Sequence, residues 1–256
     1  MLEVGELLER GRRSSIRVGI GCSRETMAAI VSRLGEMKSD IRLIAYEDEM
    51  ALLGDLRDGR IGAAVRGTLS SSATMNGIKE IFQTSDVKRV ALLEDSGGKS
   101  FLLAPVGVDE GRDFDSRLSL VEAVISYFSE MNWRLRIGVL SKGRTEDVSR
   151  GTEIRASIEE GRRMAEQLAK DGHDAEHYSI LIEDAERDCD LVVAPDGVSG
   201  NLIFRTLHFL GGCKAYGAPV VNLHGQTFVD TSRAKADFTD SVLVAAGLDA
   251  AHRKSP

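Results

Sequence analysis

The chain alternates short apolar runs with longer stretches whose apolar positions recur every three or four residues. The runs predict strands over 17–20, 41–45, 62–65, 89–93, 100–104, 135–140, 177–180, 191–194 and 219–223. Strands buried on both faces of a parallel sheet read as such near-continuous apolar segments. The amphipathic stretches predict helices over 24–37, 48–57, 72–82, 118–131, 153–170, 202–211 and 237–246. Repeated strand–helix alternation predicts an α/β chain of mixed, mostly parallel sheets with helices on both faces. One connection departs from the rule. Glu94-Asp95-Ser96-Gly97-Gly98-Lys99, between 89–93 and 100–104, is too short for a helix and predicts an antiparallel hairpin.

The pattern restarts near Asn132-Trp133-Arg134, which predicts a domain boundary there. A length of 256 residues suits one large domain or two smaller ones. The formal net charge of -7 argues against general nucleic-acid binding, which needs a basic surface to displace counterions. Cys22, Cys189 and Cys213 are odd in number and far apart, with no zinc spacing and no disulfide framework. No apolar run approaches the ~20 residues of a membrane span, so a soluble, cytoplasmic protein is expected, without a membrane partner.

Four segments carry candidate chemistry, the first three at the ends of predicted strands and the fourth before the last predicted helix. The strongest is Leu191–Ala194 running into Pro195-Asp196-Gly197-Val198-Ser199-Gly200-Asn201 and an apolar helix. Asn201 is a good helix N-cap, and Gly197 and Gly200 permit positive φ and close approach of the backbone. The free N–H groups of such a helix start suit a phosphate or other anion. The same turn also serves as an ordinary strand-to-helix connection, and the residues alone do not choose. Arg66-Gly67-Thr68 and the serines after it follow the strand at 62–65: a guanidinium beside hydroxyls can hold an anion, while serine runs also simply cap helices. Ser141-Lys142-Gly143-Arg144 places positive charge at a strand end, or is an exposed basic loop. Ser232-Arg233 precedes the last helix, as an anion site with a guanidinium fork or as a surface helix start. No G-x-G-x-x-G fingerprint, Walker lysine motif or H-E-x-x-H is present, and no metal is predicted.

In their order these four segments resemble the phosphate acetyl/butyryl transferase superfamily. Arg66-Gly67-Thr68 looks like its early glycine/hydroxyl loop and Leu140-Ser141-Lys142-Gly143 like its basic loop. Pro195-Asp196-Gly197-Val198-Ser199-Gly200-Asn201 looks like its Pro-Asp-x-x-x-Gly-Asn turn, and Ser232-Arg233 like its Ser-Arg pair. Within the superfamily the chain is most similar to the MtxX group of methanogenic archaea, methanogenesis-marker proteins labelled "putative methyltransferase subunit". The resemblance implies the two-domain fold of isocitrate and isopropylmalate dehydrogenases, with an interdomain cleft. Residues 1–133 plus 229–256 would form one domain and 134–228 the other.

It also implies a phosphate-bearing ligand, an acyl phosphate or an acyl-CoA, with acyl transfer as the reaction and no required cofactor. Arg66, Gly67, Thr68, Ser141, Lys142, Gly143, Asp196, Gly200, Asn201 and Arg233 would bind it, and Ser232, Asn201 and Asp240 would carry catalysis. The family's base is an aspartate within about two helical turns of the Ser-Arg pair; Asp237 and Asp240 bracket that place without matching it. The alternative is a binding or regulatory component of methyl transfer, acting with methyltransferase partner subunits. A homodimer is expected from the resemblance.

Overall fold

The computed structural model describes residues 3–233, 235 and 237–253. From the start of the chain run α1 (Val4–Arg12), β1 (Arg17–Gly21), α2 (Arg24–Glu36), β2 (Arg42–Tyr46), α3 (Glu49–Arg57), β3 (Ala63–Val65) and α4 (Ser71–Phe82). There follow β4 (Ala91–Glu94), β5 (Ser100–Ala104), α5 (Phe114–Ser129), β6 (Arg136–Leu140) and, after a short 3-10 turn at Thr145–Arg150, α6 (Thr152–Lys170). Then come β7 (Asp174–Ser179), α7 (Ile182–Asp188), β8 (Leu191–Val193) and α8 (Gly197–Phe209). The chain closes with β9 (Lys214–Pro219), β10 (Thr227–Asp230) and α9 (Thr239–His252). No helix among the described residues is long and apolar enough to cross a membrane.

Two compact units result: Lys88–Ala215, and Glu3–Val87 with the chain from Tyr216 onward. These limits differ from a division at 133 and 229. The turn at Asn132-Trp133 lies inside the Lys88–Ala215 unit, because the β4–β5 hairpin before it pairs with β8 after it.

In the unit of Glu3–Val87 and the chain from Tyr216, β1 pairs in parallel with β2 and β3, and β3 pairs in parallel with β10. Leu52, Leu53, Leu56 and Ile61 pack with Ala64, Val220 and Phe228 in its core. β9 returns antiparallel on β10, with Val229 opposite Pro219. The strand expected over 219–223 is therefore the end of β9 and the turn of a second hairpin. Val220 and Leu223 are apolar because the turn itself is buried in the core, and a buried turn has the hydrophobic profile of a strand.

In the Lys88–Ala215 unit, β4 and β5 form the expected antiparallel hairpin, Ala91 opposite Leu103. Its turn is closed by Asp95, whose Oδ1 accepts from the N–H groups of Gly97 (2.9 Å) and Lys99 (2.7 Å). β5 continues in parallel to β8, β8 to β6 and β6 to β7.

The most instructive difference concerns α8. It begins at Gly197, and its N-cap is Asp196, whose Oδ1 accepts the Ser199 N–H at 2.7 Å. Asn201 is therefore a helix residue, not the cap. Neither Gly197 nor Gly200 has positive φ. Close approach is their whole requirement: a Cβ on Gly197 would overlap the Gly107 carbonyl oxygen, and one on Gly200 that of Pro105. Beyond those glycines α8 is apolar on several sides, yet Val198, Leu202, Phe209 and Leu210 are exposed.

The Gly200→Ala protein is expected to lose about 1–3 kcal/mol of stability, since neither backbone can yield to the added methyl. Urea denaturation of the two proteins measures it, and equal midpoints would disprove the packing argument.

Candidate functional site

β3 and β10 are parallel neighbours, with Val65 opposite Val229, so their C-terminal ends deliver two loops to one place. The first loop carries Arg66-Gly67-Thr68 and the second Thr231-Ser232-Arg233. Arg66 is 4% exposed, and its Nε donates to Asp230 Oδ1 while Nη1 donates to the Leu69 carbonyl at 2.8 Å. Asp230 Oδ1 also accepts the Thr231 N–H at 2.8 Å, and Thr231 Oγ1 donates to the Gly67 carbonyl at 3.2 Å. Gly67 has φ +61°, and a Cβ there would overlap the Gly21 carbonyl, so the turn takes only glycine. The Thr68 N–H then donates to Gly21 O at 2.7 Å, fastening the loop to the end of β1.

Arg233 differs from Arg66 in its surroundings. It is exposed, and its Nε donates to the Leu69 carbonyl at 3.1 Å, the same oxygen that Arg66 uses. Nη1 and Nη2 make no hydrogen bond to other described residues, so a guanidinium fork faces outward beside Ser232. Asp237 accepts the Thr239 N–H (3.0 Å) and hydroxyl (2.7 Å) and pairs with Arg33. Burial pushes its carboxyl up, but those bonds and the charges of Arg33 and Lys235 hold it below the usual range. Asp240 lies in the first turn of α9, half-buried. Of the two aspartates that bracket the expected base, Asp237 is occupied as a cap and ion-pair partner.

Lys235 is the residue that sequence reasoning passed over. Its Nζ bonds Ser241 Oγ at 2.9 Å, and burial pushes its ammonium below the ordinary lysine range, against the pull of Asp240 and Asp237. The only sequence signal was a lysine set between Ala234 and Ala236.

A second cluster forms in the Lys88–Ala215 unit, where β6 and β8 are parallel neighbours. Lys142 reaches Glu153 Oε1 at 2.7 Å and Asp196 Oδ2 at 3.1 Å, and the Glu153 bond leads in raising its pKa. Burial raises the Asp196 carboxyl, but the Ser199 N–H and Lys142 more than offset it. Gly143 leaves room that a Cβ would contest with Ile154, 2.8 Å away. Ser141 is buried: its hydroxyl donates to Gly143 O (2.9 Å), so His177 Nε2, 3.0 Å away, is the donor to Ser141 Oγ. His177 is neutral in that role, and burial, reinforced by Arg162, holds its pKa below the ordinary 6.5. Asn201 Nδ2 donates to the Val106 carbonyl at 2.8 Å, which ties this amide to the loop that receives Gly197 and Gly200. Arg117, buried beneath that turn, donates to the Pro195 carbonyl.

The sequence-predicted residues thus fall into two groups. Arg66, Gly67, Thr68, Ser232, Arg233 and Asp240 lie in one unit, and Ser141, Lys142, Gly143, Asp196, Gly200 and Asn201 in the other. Among the described residues no cluster of three or more His, Cys, Asp or Glu side chains can hold a metal ion.

No family model matches the chain. It is 35% identical over 236 residues to the protein named "Putative methyltransferase mtx subunit X" of Methanosarcina acetivorans, across 92% of this chain and 84% of that one. Its fold is similar to that of a branched-chain phosphotransacylase from Enterococcus faecalis (TM-score 0.67, 15% identity, 91% of this chain and 99% of that one). It is also similar to that of a 4-hydroxythreonine-4-phosphate dehydrogenase from Klebsiella pneumoniae (TM-score 0.57, 12% identity, 99% and 95%).

Two outcomes follow from this geometry. Arg66→Met should cost about 3–5 kcal/mol in urea denaturation by removing the buried guanidinium that Asp230 pairs with. Arg66→Met/Asp230→Leu should recover much of it; full stability in the single variant would refute the pairing. Because the pKa of His177 is depressed on folding, the stability it confers is present above its unfolded value and lost as pH falls below about 6.5. In His177→Gln the acid loss should shrink, as read from denaturation midpoints across pH; an unchanged profile would count against a neutral His177.

Proposed function

The chain belongs to the family of the methyltransferase mtx subunit X proteins, and from that premise we propose that it is a phosphate acyltransferase-like protein. Its ligand carries a phosphate, as an acyl phosphate or an acyl-CoA, and acyl transfer between phosphate and a thiol is its chemistry. The observation that carries this reading is the Ser232–Arg233 loop. Arg66, Asp230 and Thr231 hold its base rigid, while Arg233 spends one donor inward and keeps a fork for an anion. The phosphotransacylase fold of the structural neighbours supports the same reading. The two-domain architecture of the isocitrate and isopropylmalate dehydrogenases is part of the same proposal.

The roles follow from what each side chain has left to give. Arg233 holds the phosphate, because its Nη groups are outward. Arg66 is a positioning residue: two of its nitrogens are committed to Asp230 and Leu69. Gly67 and Thr68 shape the turn that borders the anion. Ser232 orients the reacting carbonyl, and Asp240, with no cap to make, is the carboxylate near the reacting groups. The α8 start, with Ser141, Lys142, Gly143, Asp196, Gly200 and Asn201, is the polar, anion-suited surface of the Lys88–Ala215 unit. No cofactor is needed for this chemistry. A homodimer is part of the reading, supported by the exposed apolar residues of α8, since a helix apolar on several sides is normally covered on each.

A second reading rests on the relatives' names. As a binding or regulatory component of methyl transfer in methanogenesis, the protein would keep the anion pocket and act with methyltransferase partner subunits. The two readings differ in whether the isolated protein turns over.

Phosphate-dependent release of CoA from a panel of acyl-CoA donors is the deciding assay. Turnover is expected, and Arg233→Ala should lose about 2–5 kcal/mol in kcat/KM while remaining folded. Absence of turnover across the panel by folded protein would overturn the acyltransferase reading in favour of the second.

A further inference from the structure

We propose that the unit built on β1, β3 and β10 holds a second binding site, for a small hydroxyl-bearing oxyanion: a phosphate ester or a hydroxycarboxylate. The site is a cavity of about 580 Å³ between α1, the turn Ser14-Ser15-Ile16 and the last turn of α9. That volume lies in the range that small-molecule sites occupy. The acyl-transfer reading does not use this cavity, and the proposal is independent of it. Ser14–Ile16 precede β1, whereas Thr68 and Arg233 follow β3 and β10, which run parallel in this sheet. The 5 residues of β1 separate the two ends by about 16 Å, more than a small ligand spans.

The walls are set by backbone contact. A Cβ on Gly11 would overlap the Leu243 carbonyl, and one on Gly247 the Leu7 carbonyl, so α1 and α9 touch with no side chain between them. Arg253, the C-cap of α9, is held from two sides. Its Nε donates to both oxygens of Asp249, at 3.0 and 2.8 Å. A Cβ on Gly62 would stand 3.4 Å from its Nη2, so the guanidinium lies against the chain just before β3. Asp249 is buried, and the pair forms a fixed part of the lining.

The charge on the lining is unevenly spent. Glu9 accepts from Arg12 Nε (2.7 Å) and Nη2 (2.6 Å) and from Arg13 Nε (2.7 Å). Both oxygens of Asp249 are taken by Arg253. Arg13 and Arg253 are therefore engaged through Nε and keep their Nη groups as forks. Arg10 makes no side-chain hydrogen bond or ion pair with another described residue. Three guanidiniums thus retain donors, and an oxyanion can take paired N–H bonds from a fork. Among the described residues Glu6 has no side-chain partner either, and it stands four residues before Arg10 on the same face of α1. An open acceptor beside a cationic cluster suits a ligand hydroxyl, and Ser15 adds a group that donates or accepts. Ile16 and Ala250 supply the apolar contact for a short carbon chain.

Phenylglyoxal labelling of the full chain, read at each arginine by peptide mass spectrometry, tests the site with two probes, glycerol 3-phosphate and citrate. At least one probe should protect Arg10 and Arg253 relative to exposed Arg155, and the protection should persist in Arg233→Ala. Protection by glycerol 3-phosphate alone assigns a phosphoryl ligand, by citrate alone a carboxylate, and by both the shared oxyanion chemistry. Labelling of Arg10 and Arg253 unaffected by either probe, or protection that vanishes in Arg233→Ala, would overturn the proposal. Calorimetry with the protecting probe then compares Arg233→Ala with Arg10→Ala/Arg233→Ala. The second variant should bind about tenfold more weakly, and an equal Kd would also overturn it. CoA release enters neither measurement, so failure of the acyl-transfer reading leaves both outcomes legible.

Discussion

A guanidinium inside a protein must be paired, and the pairing of Arg66 with Asp230 fixes the ends of two parallel strands together. Each partner does more than neutralise the other. Arg66 also draws in the Leu69 carbonyl, and Asp230 also accepts the Thr231 N–H, so one ion pair sets the exit direction of both chains. Burial makes the arrangement demanding: the pair itself adds little net stability, but either member alone would be a buried charge. The loops that carry Thr68, Ser232 and Arg233 inherit their positions from that constraint. Gly67 completes it, since its left-handed backbone lies against the Gly21 carbonyl and leaves no alternative path.

The Lys88–Ala215 unit solves the equivalent problem with packing in place of charge. The start of α8 presses its two glycines onto the carbonyls of Pro105 and Gly107. That receiving loop is shaped by Glu110, which accepts the Val106 (3.2 Å) and Gly107 (2.9 Å) N–H groups and pairs with Arg89 at 2.6 Å. Burial raises the Glu110 carboxyl, and Arg89 and the two N–H groups work against that rise. The turn at Asp196–Asn201 therefore carries two demands at once. Its Asp196 carboxylate caps the Ser199 N–H and pairs with Lys142, while its glycines exist for the loop behind it.

Much of the fold was legible because strands such as β1, β3, β5, β6 and β8 are buried on both faces and helices such as α1, α4 and α6 are amphipathic. The hairpin at Glu94–Lys99 was legible for a simpler reason: a short glycine-rich connection has no room for a crossover. The second hairpin was not, because Val220 and Leu223 are buried in a turn and mimic a strand. The start of α8 was misplaced by the same kind of ambiguity. Glycine at 197 and 200 suggests a loop, whereas here it permits helix–backbone contact inside a helix. The candidate loops could be found from sequence because strand ends are where parallel sheets present polar residues. Their division between two units, and the commitment of Arg66, Lys142 and Asn201 to internal partners, depend on long-range contacts that spacing does not encode. Asp230, His177 and Lys235 were passed over for that reason: each is a single residue whose chemistry is set by a neighbour distant in sequence or by burial.

The distribution of spent and unspent charge bears on function more directly than the fold does, since one fold hosts many reactions. Lys142 is engaged by two carboxylates, and Arg66 by one carboxylate and a carbonyl. An anion binding to either would have to displace a partner already in place and leave a carboxylate behind. Among the described residues Arg233 faces no such exchange: it donates to a carbonyl through Nε, and its side chain is exposed. On the proposed reading, binding free energy for a phosphate would be concentrated on the exposed end of a loop whose buried end is held by Arg66 and Asp230. Such a site would hold a ligand without reorganising the strand ends, and that pre-organisation would serve an enzyme and a binding subunit alike. On the proposed reading, what separates the two is proton transfer beside the anion, and Asp240, in the first turn of the helix that follows the loop, is the carboxylate on which that difference would turn.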